Sequence, residues 1–579
     1  MSHTQENSVP LGTYVFNRLK QLGIASIFGV PGDYNLRLLD FIEPAGLHWV
    51  GNCNELNAAY AADGYCRIHG LGAVVTTFGV GELSAINGIA GAYAERAPVI
   101  HIVGTPSRNI QTSRTLVHHT FIDGEYQRFA SMAAQVTAAQ VNLTDANTAP
   151  DQVDWIIEQA LIRQRPVYLQ IPQDMADALV SVTNLRSKPI ISLPVSSTPT
   201  QIDMKHVNSI LDCLYSAKRP LILIDGESRN LGAVDEINQL VEITGWPTWT
   251  SAFGKGLVNE ELPNFHGVYL AGYGDEPSSK YFKTSDLVIF LGPHLSNINT
   301  HIFTAIPEES RTISFSPDKI KIFGTTVRDI SPRQIIKQLI DMIDPSRLVE
   351  ANGPNVLTRS TPTPPPSEGL CQDLFYPYIN PMFRRGDIVL TETGTASEGG
   401  QVFKLPKHCR FFTAVTWLSI GYMLPATLGA ALAQRDRAKV RDEKNTGRAI
   451  LFIGDGSFQM TAQELSTMIK ENLNIIVILI NNNGYTIERV IHGRNAGYNS
   501  VSQWNHKYAL GLFGLSEDEC SKRYFSARTW GELEMALSSK SIQHDDGIKF
   551  IEVFMGQEDC TGELKDLLAE QIARESKCN

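Results

Sequence analysis

The sequence predicts an α/β protein of three consecutive domains, each a parallel sheet flanked by helices. Short, continuous apolar runs rich in β-branched residues recur along all 579 residues, separated by stretches of helix length. Strands of this kind are covered on both faces, the habit of parallel sheets. A chain this long exceeds what one hydrophobic core supports. Two proline-rich stretches, "NLRSKPIISLPVSSTPTQ" (184–201) and "NVLTRSTPTPPPSEG" (355–369), exclude helix and favour extended spacers between the parts.

The expected boundaries are a first domain over 1–183, a central domain over 200–345, a Pro-rich linker over 346–369 and a last domain over 370–579. In the first, "IASIFGV", "GAVVTTFG", "PVIHIVG" and "PVYLQIP" read as strands, with "YNLRLLDFI" and "ELNAAYAADGYCRIH" as helices between them. The central segment offers "RPLILIDG", "DLVIFLG" and "RTISFSP"; the last offers "RAILFIGDG", "NIIVILINN" and "KFIEVFM".

Composition removes several classes of function. A net charge of −11, spread along the chain, argues against a nucleic-acid surface, which needs a basic face. No segment approaches eighteen uninterrupted apolar residues, so no membrane partner is expected. The eight cysteines form no C-x-x-C pair, the shortest gap being thirteen residues, which suggests neither zinc nor a disulfide framework. The opening "MSHTQENSVPLGTYVF" shows no cationic-then-apolar leader pattern, and a cytoplasmic location is expected.

The densest polar signal lies in "RAILFIGDGSFQMTAQELSTMIKENLNIIVILINNNG", one strand–helix–strand unit. Ligands of parallel sheets sit beyond the carboxyl ends of the strands. Asp455 ends the first strand between Gly454 and Gly456, where glycines permit close backbone approach, and Ser457 is read as opening a helix that can receive a phosphate. Asn482 ends the next strand on the same edge. One carboxylate, one amide oxygen, a backbone carbonyl near Gly484 and two phosphate oxygens make a hard octahedral site for Mg2+. GDG and Asn-Asn-Asn-Gly are each ordinary turns when alone. The 24 residues between GDG and the asparagine pair fit one helix plus one strand and match the signature of a thiamine-diphosphate-binding fold.

Seven blocks then resemble the thiamine-diphosphate-dependent 2-keto acid decarboxylases, in order and across nearly the whole length, most nearly the fungal and yeast pyruvate decarboxylase branch. They are "GVPGDYNLRLLDFI", "GNCNELNAAYAADGYCRIHG", "TTFGVGELSAINGIAGAYAE", "LVHHTF", "TETGT", "IGDGSFQMTAQELSTMI" and "NNNGYTIERVIHG". The resemblance implies that the first domain binds the aminopyrimidine of thiamine diphosphate, the last binds its diphosphate through Mg2+, and the central domain is structural. It also implies a site between two subunits: a homodimer at least, commonly a homotetramer, acting on a small 2-keto acid.

By the same resemblance, Glu55 hydrogen-bonds the pyrimidine ring and promotes formation of the thiazolium carbanion; read from position alone it is equally a helix-start glutamate favoured by the dipole. Asp33, His118, His119 and Glu488 match the family's candidates for protonating the enamine and releasing aldehyde. Alone, Asp33 is most simply a turn residue and the two histidines an exposed loop pair. Ile420 matches the bulky residue that bends the cofactor, and Thr393 and Thr395 match positions beside it.

Three departures bear on substrate and control. After "TETGT" the chain carries Ala396, Ser397 and Glu398 where many relatives carry an aromatic wall, and Ile298 stands where an aromatic residue commonly narrows the pocket. A roomier cavity follows, suited to longer, branched or aromatic 2-keto acids, or to polar ones if Glu398 faces inward. "LIDGESRN" lacks the cysteine that some yeast relatives use for substrate activation. A carboligase, in which the enamine attacks a second carbonyl, is the alternative enzyme. A dinucleotide-binding oxidoreductase would rest only on the weak Gly-x-Gly of "FGVGELSAING", and a silent paralogue would not be expected to keep the acidic and histidine set.

Overall fold

The computed structural model describes residues 7–187, 189–190, 201–328, 330–355, 361–441, 447–544 and 546–578; much of the 184–201 spacer and part of the 355–369 spacer lie outside them. The first sheet runs His48–Gly51, Ser26–Gly29, Gly72–Thr77, Val99–Thr105, Val167–Pro172 and Gln140–Asn142, every neighbouring pair parallel. The third runs Arg410–Thr413, Ile388–Thr391, Ala449–Gly454, Ile475–Asn481, Lys549–Phe554 and Tyr524–Ala527, again all parallel. Their central strands are buried along nearly their whole length, as the unbroken apolar runs predict, while the edge strands His48–Gly51, Gln140–Asn142 and Tyr524–Ala527 are partly exposed.

The middle sheet has a parallel core, Phe265–Val268, Thr248–Thr250, Pro220–Ile224, Leu287–Leu291 and Thr312–Ser316. It is extended by an antiparallel tail, Lys319–Ile322 and Thr325–Val327. The tail exists because Phe323 and Gly324 both take positive φ, 48° and 83°, the two-residue turn whose twist suits a hairpin. Neither residue pair nor apolar run advertised it.

The first and third units share one core. Helix Glu55–His69 lies along helix Met423–Arg441, and their small residues allow the backbones to meet. A Cβ on Gly64 would fall 2.1 Å from the Ala426 carbonyl oxygen, and one on Gly429 would fall 1.8 Å from that of Ala61. Polar groups lock the middle unit onto this pair. Glu227 pairs with both Arg96 and His294, and the other ring nitrogen of His294 reaches Thr416 Oγ1 at 2.5 Å. Arg67 binds Asp63 and Glu95, whose second oxygen accepts from the Val415 and Thr416 N–H groups. Charges this buried are retained only when paired; here the Glu227–Arg96 pair joins the middle unit to the first, and the His294–Thr416 and Glu95–Val415/Thr416 hydrogen bonds reach the third.

Candidate active site

The carboxyl edge of the third sheet gathers the residues predicted to hold a metal. Asp455, 2 % exposed, begins helix Asp455–Thr461, two residues earlier than the sequence reading placed the start. Its carboxylate accepts from Gly456 N at 2.8 Å and Gly484 N at 3.2 Å. Burial pushes its carboxyl up to about 6. Gly484 has φ 126° and its missing Cβ would collide with the Asn499 carbonyl, so this position requires glycine. Gly454, in contrast, has open space where a side chain would stand, while Gly456 makes room for the Tyr485 ring.

Asn482 decides what this edge can bind. Thr486 Oγ1 donates its one proton to the Gln557 carbonyl at 2.7 Å, so towards Asn482 it can only accept. Asn482 therefore turns Nδ2 to Thr486, at 2.8 Å, and its Oδ1 the other way. That oxygen lies 3.1 Å from Asp455 Oδ1 and 2.9 Å from the Gly484 carbonyl oxygen. Turning the amide over would replace these contacts with hydrogen bonds but would sacrifice the Thr486–Gln557 bond. Three oxygens converge with no proton between them. In an octahedron with bonds of about 2.1 Å, adjacent oxygens stand about 3 Å apart, which is the spacing seen. Asp455, Asn482 and Gly484 thus fit a hard divalent cation, whose charge would also reverse the burial effect on Asp455.

The neighbouring loops complete a cradle. Glu392, fully buried, accepts from Thr393 N and Met423 N, both at 2.9 Å, and so ties the "TETGT" loop to the loop carrying half-buried Ile420. The Gly421 carbonyl accepts from Thr461 Oγ1 at 2.7 Å, fastening that loop to the helix of Asp455 and Ser457. Thr393 Oγ1 is buried beside the Glu392 carboxyl, meets no geometric hydrogen bond among the described residues, and can turn to a bound ligand. Thr395 is already engaged, its hydroxyl accepting from Gln372 Nε2 at 3.1 Å. These features fit a diphosphate group carried on a cation.

On the first sheet's carboxyl edge Asp33, His118 and His119 come together. His118 Nε2 makes a very short contact to one Asp33 oxygen, and His119 Nε2 stands 3.7 Å from the other. Tyr34 stacks on the His118 ring, centroids 5.1 Å apart, and its hydroxyl donates to the His118 carbonyl, holding the pair in place. Glu55 opens its helix after an Asn54 cap, so the helix-start reading is correct as far as it goes. Its carboxylate lies against Gly81, where a Cβ would come within 2.9 Å of Oε1. Glu488 sits exposed on the short helix Thr486–Ile491; among the described residues no hydrogen bond or ion pair joins it, or Glu55, to the Asp33 group.

The pocket candidates separate. Ile298 is 46 % exposed, and Ser397 donates to the Gly394 carbonyl. Glu398 is half-buried and turned to the C-terminal helix. It lies against Gly562 and takes a backbone hydrogen bond from Glu563 at the start of the C-terminal helix, beside His301, which pairs with Glu563 at 3.1 Å. Burial raises the Glu398 carboxyl, the His301 ring lowers it and Glu563 raises it.

Sequence reading missed Glu392 and Glu464. Glu464, fully buried, accepts from Asn52 and Asn57 Nδ2, each at 2.8 Å, and from Cys53 N at 3.4 Å, so it grips both sides of Glu55. Glu392 stood inside a block already singled out, and a carboxylate ending an apolar strand was its signal. Glu464 also stood inside a quoted block, but its role was hidden because its partners lie some 400 residues away in the chain.

Comparison with known proteins identifies the family. Residues 10–128, 207–342 and 392–514 match the N-terminal TPP binding, central and C-terminal TPP binding domains of thiamine pyrophosphate enzymes. Pyruvate decarboxylase of Aspergillus parasiticus is 48 % identical, covering 98 % of both chains, and that of Aspergillus fumigatus 38 % identical with the same coverage. Among solved structures, the thiamine diphosphate-dependent 4-hydroxybenzoylformate decarboxylase of Rhodococcus jostii superposes with a TM-score of 0.75 over 94 % of this chain and 99 % of its own, at 18 % identity. No helix among the described residues is long and apolar enough to cross a membrane. The chain belongs to the thiamine-diphosphate-dependent 2-keto acid decarboxylase family.

Proposed function

We propose that this chain converts a 2-keto acid to an aldehyde and carbon dioxide without oxidation, using thiamine diphosphate and Mg2+. The observation that carries the reading is the convergence of Asp455, Asn482 and Gly484 oxygens at the spacing of an octahedral cation. When bound, the coenzyme supplies the electron sink that a departing carboxylate requires. Asp455, Asn482 and the Gly484 carbonyl hold the cation; Thr393 hydrogen-bonds the ligand beside it, and Ile420 shapes the cradle. Glu55 would be the carboxyl that meets the pyrimidine ring of the bound coenzyme. Asp33, in contact with His118 and near His119, forms the acid–base group at the open edge of the first sheet that would deliver a proton to the product carbon, with Glu488 as the second candidate. A group placed to protonate favours the aldehyde over ligation to a second carbonyl.

The pocket favours an uncharged, bulky substrate side chain: Ile298 is not aromatic, Ser397 is small, and Glu398 is committed to the C-terminal helix. The first-sheet and third-sheet groups are reading halves of a site completed by a second copy. Exposed Leu116, Phe121 and Ile122 beside His118, and Met460 and Tyr498 beside the cation loop, give such a homodimer apolar surface to bury.

Decarboxylation of pyruvate, 2-ketoisovalerate, phenylpyruvate and indolepyruvate by the purified holoenzyme tests the reaction and the pocket together. Free aldehyde from the larger acids at higher kcat/KM than from pyruvate is expected, with Glu55→Gln reducing turnover by at least about 100-fold. Acyloin as the main product, or strict preference for pyruvate, would remove the corresponding half of the reading.

A further inference from the structure

A cavity of about 930 Å³ lies outside the site above, between the middle and third units. Its volume is within the range of small-molecule sites. In a chain of net charge −11, the described residues lining it include seven arginines and lysines, of which Arg437 and Arg441 make further interactions, against four carboxylates, Asp235, Glu242, Asp387 and Asp546. One of the four is already neutralised: Asp387 holds Arg448 at 2.6 Å.

The cations are crowded rather than scattered. Arg410 and Arg437 both donate to one neutral acceptor, the Ile68 carbonyl at the end of helix Glu55–His69, each at 3.2 Å. Burial, with the charges of Arg437 and Arg441, pushes the Arg410 guanidinium down to about 10. Burial and the Arg448 charge lower Arg384 as well. Arg448 is 5 % exposed, and its Nη1 has no hydrogen-bond partner among the described residues. Like charges held this close raise the energy of the empty cleft, and an anion carrying two charges relieves it. Guanidinium forks match the oxygens of a phosphate group, while Val234, Leu257, Val258 and Ile542 supply apolar wall for an organic body.

We propose that this cleft binds a small organic phosphate monoester, its dianion held by Arg384, Arg385, Lys407 and Arg410. The site is separable from the coenzyme site, since the Ile68 end of its 15-residue helix stands about 22 Å along the axis from the Glu55 end. The inference does not depend on which 2-keto acid is decarboxylated.

Calorimetry on holoenzyme saturated with thiamine diphosphate and Mg2+ tests it, with glucose 6-phosphate as probe, inorganic phosphate as the headgroup alone and glucose as the neutral body. One saturable glucose 6-phosphate site per chain is expected, with no binding of glucose. The paired reversal Arg385→Glu/Lys407→Glu should weaken it about tenfold or more, while Lys280→Glu, on the outer surface of the middle unit, leaves it unchanged. Phenylglyoxal labelling of the unaltered enzyme gives a reading independent of any variant: the probe should protect Arg385 and Arg410 but not the exposed Arg574. Absence of saturation below about 10 mM, equal binding by the paired variant, displacement by excess thiamine diphosphate, or no protection of Arg385 and Arg410 would each overturn the proposal.

Discussion

Glu392 shows at the scale of one residue how the cradle depends on a group that need not touch the ligand. It is completely buried, and burial raises its carboxyl from 4.5 to about 7, against the opposing effect of the Met423 and Thr393 N–H groups. Because the folded value lies above the ordinary one, the stability it contributes is fully present below about pH 4.5 and is lost as pH rises through about 7. The shift corresponds to about 3 kcal/mol. Urea unfolding of the coenzyme-free protein at pH 5 and pH 8 should therefore show a fall in stability with rising pH, reduced by roughly that amount in Glu392→Gln, which keeps the neutral shape. An identical pH dependence in the variant would mean that Glu392 stays ionised in the fold. Asn482 makes the same point in another way. Its residue type was legible from sequence, but the direction of its oxygen follows from Thr486 and Gln557, 4 and 75 residues along the chain from it.

Among elements, helix Glu55–His69 has the widest influence. Its first residue is the proposed proton partner, its middle crosses helix Met423–Arg441 through glycines, and its last carbonyls meet the arginine-lined cleft. Glu464 sets where it begins. Removing that carboxylate leaves the buried Asn57 amide without its acceptor, at a cost of about 1–3 kcal/mol, and frees the half-buried Asn52 amide. Glu464→Ala should accordingly lose stability in denaturant and also turnover, with the defect in kcat rather than KM, because the cation loop is untouched; normal kcat would dissociate Glu464 from the placing of Glu55. The strand runs and this helix were readable in advance, since continuous apolar runs and an asparagine cap are local signals. The hairpin at Phe323–Gly324 was not, because a non-glycine residue at positive φ leaves no mark in composition. Glu398 was visible as an unusual residue, but its commitment to the C-terminal helix arises from His301 and Gly562, far away in sequence.

For the whole molecule, three sheets were legible and their merging was not: the first and third share one core built on glycine contacts that no single segment reveals. The proposed sharing of each site between two copies makes a sharp prediction. Glu55→Gln and Asp455→Ala should each be inactive alone, whereas a mixture refolded or exchanged together should recover activity, since a mixed dimer carries both defects in one site and leaves the other intact. No recovery would place both halves within one chain. The account as a whole rests on the oxygen cluster at the edge of the third sheet, and calorimetry of coenzyme uptake tests it most directly. The expected result is one thiamine diphosphate per chain, bound only when Mg2+ is present, with uptake lost in Asp455→Ala and strongly weakened in Asn482→Ala. Uptake that ignores the cation, or that survives both substitutions, would contradict it.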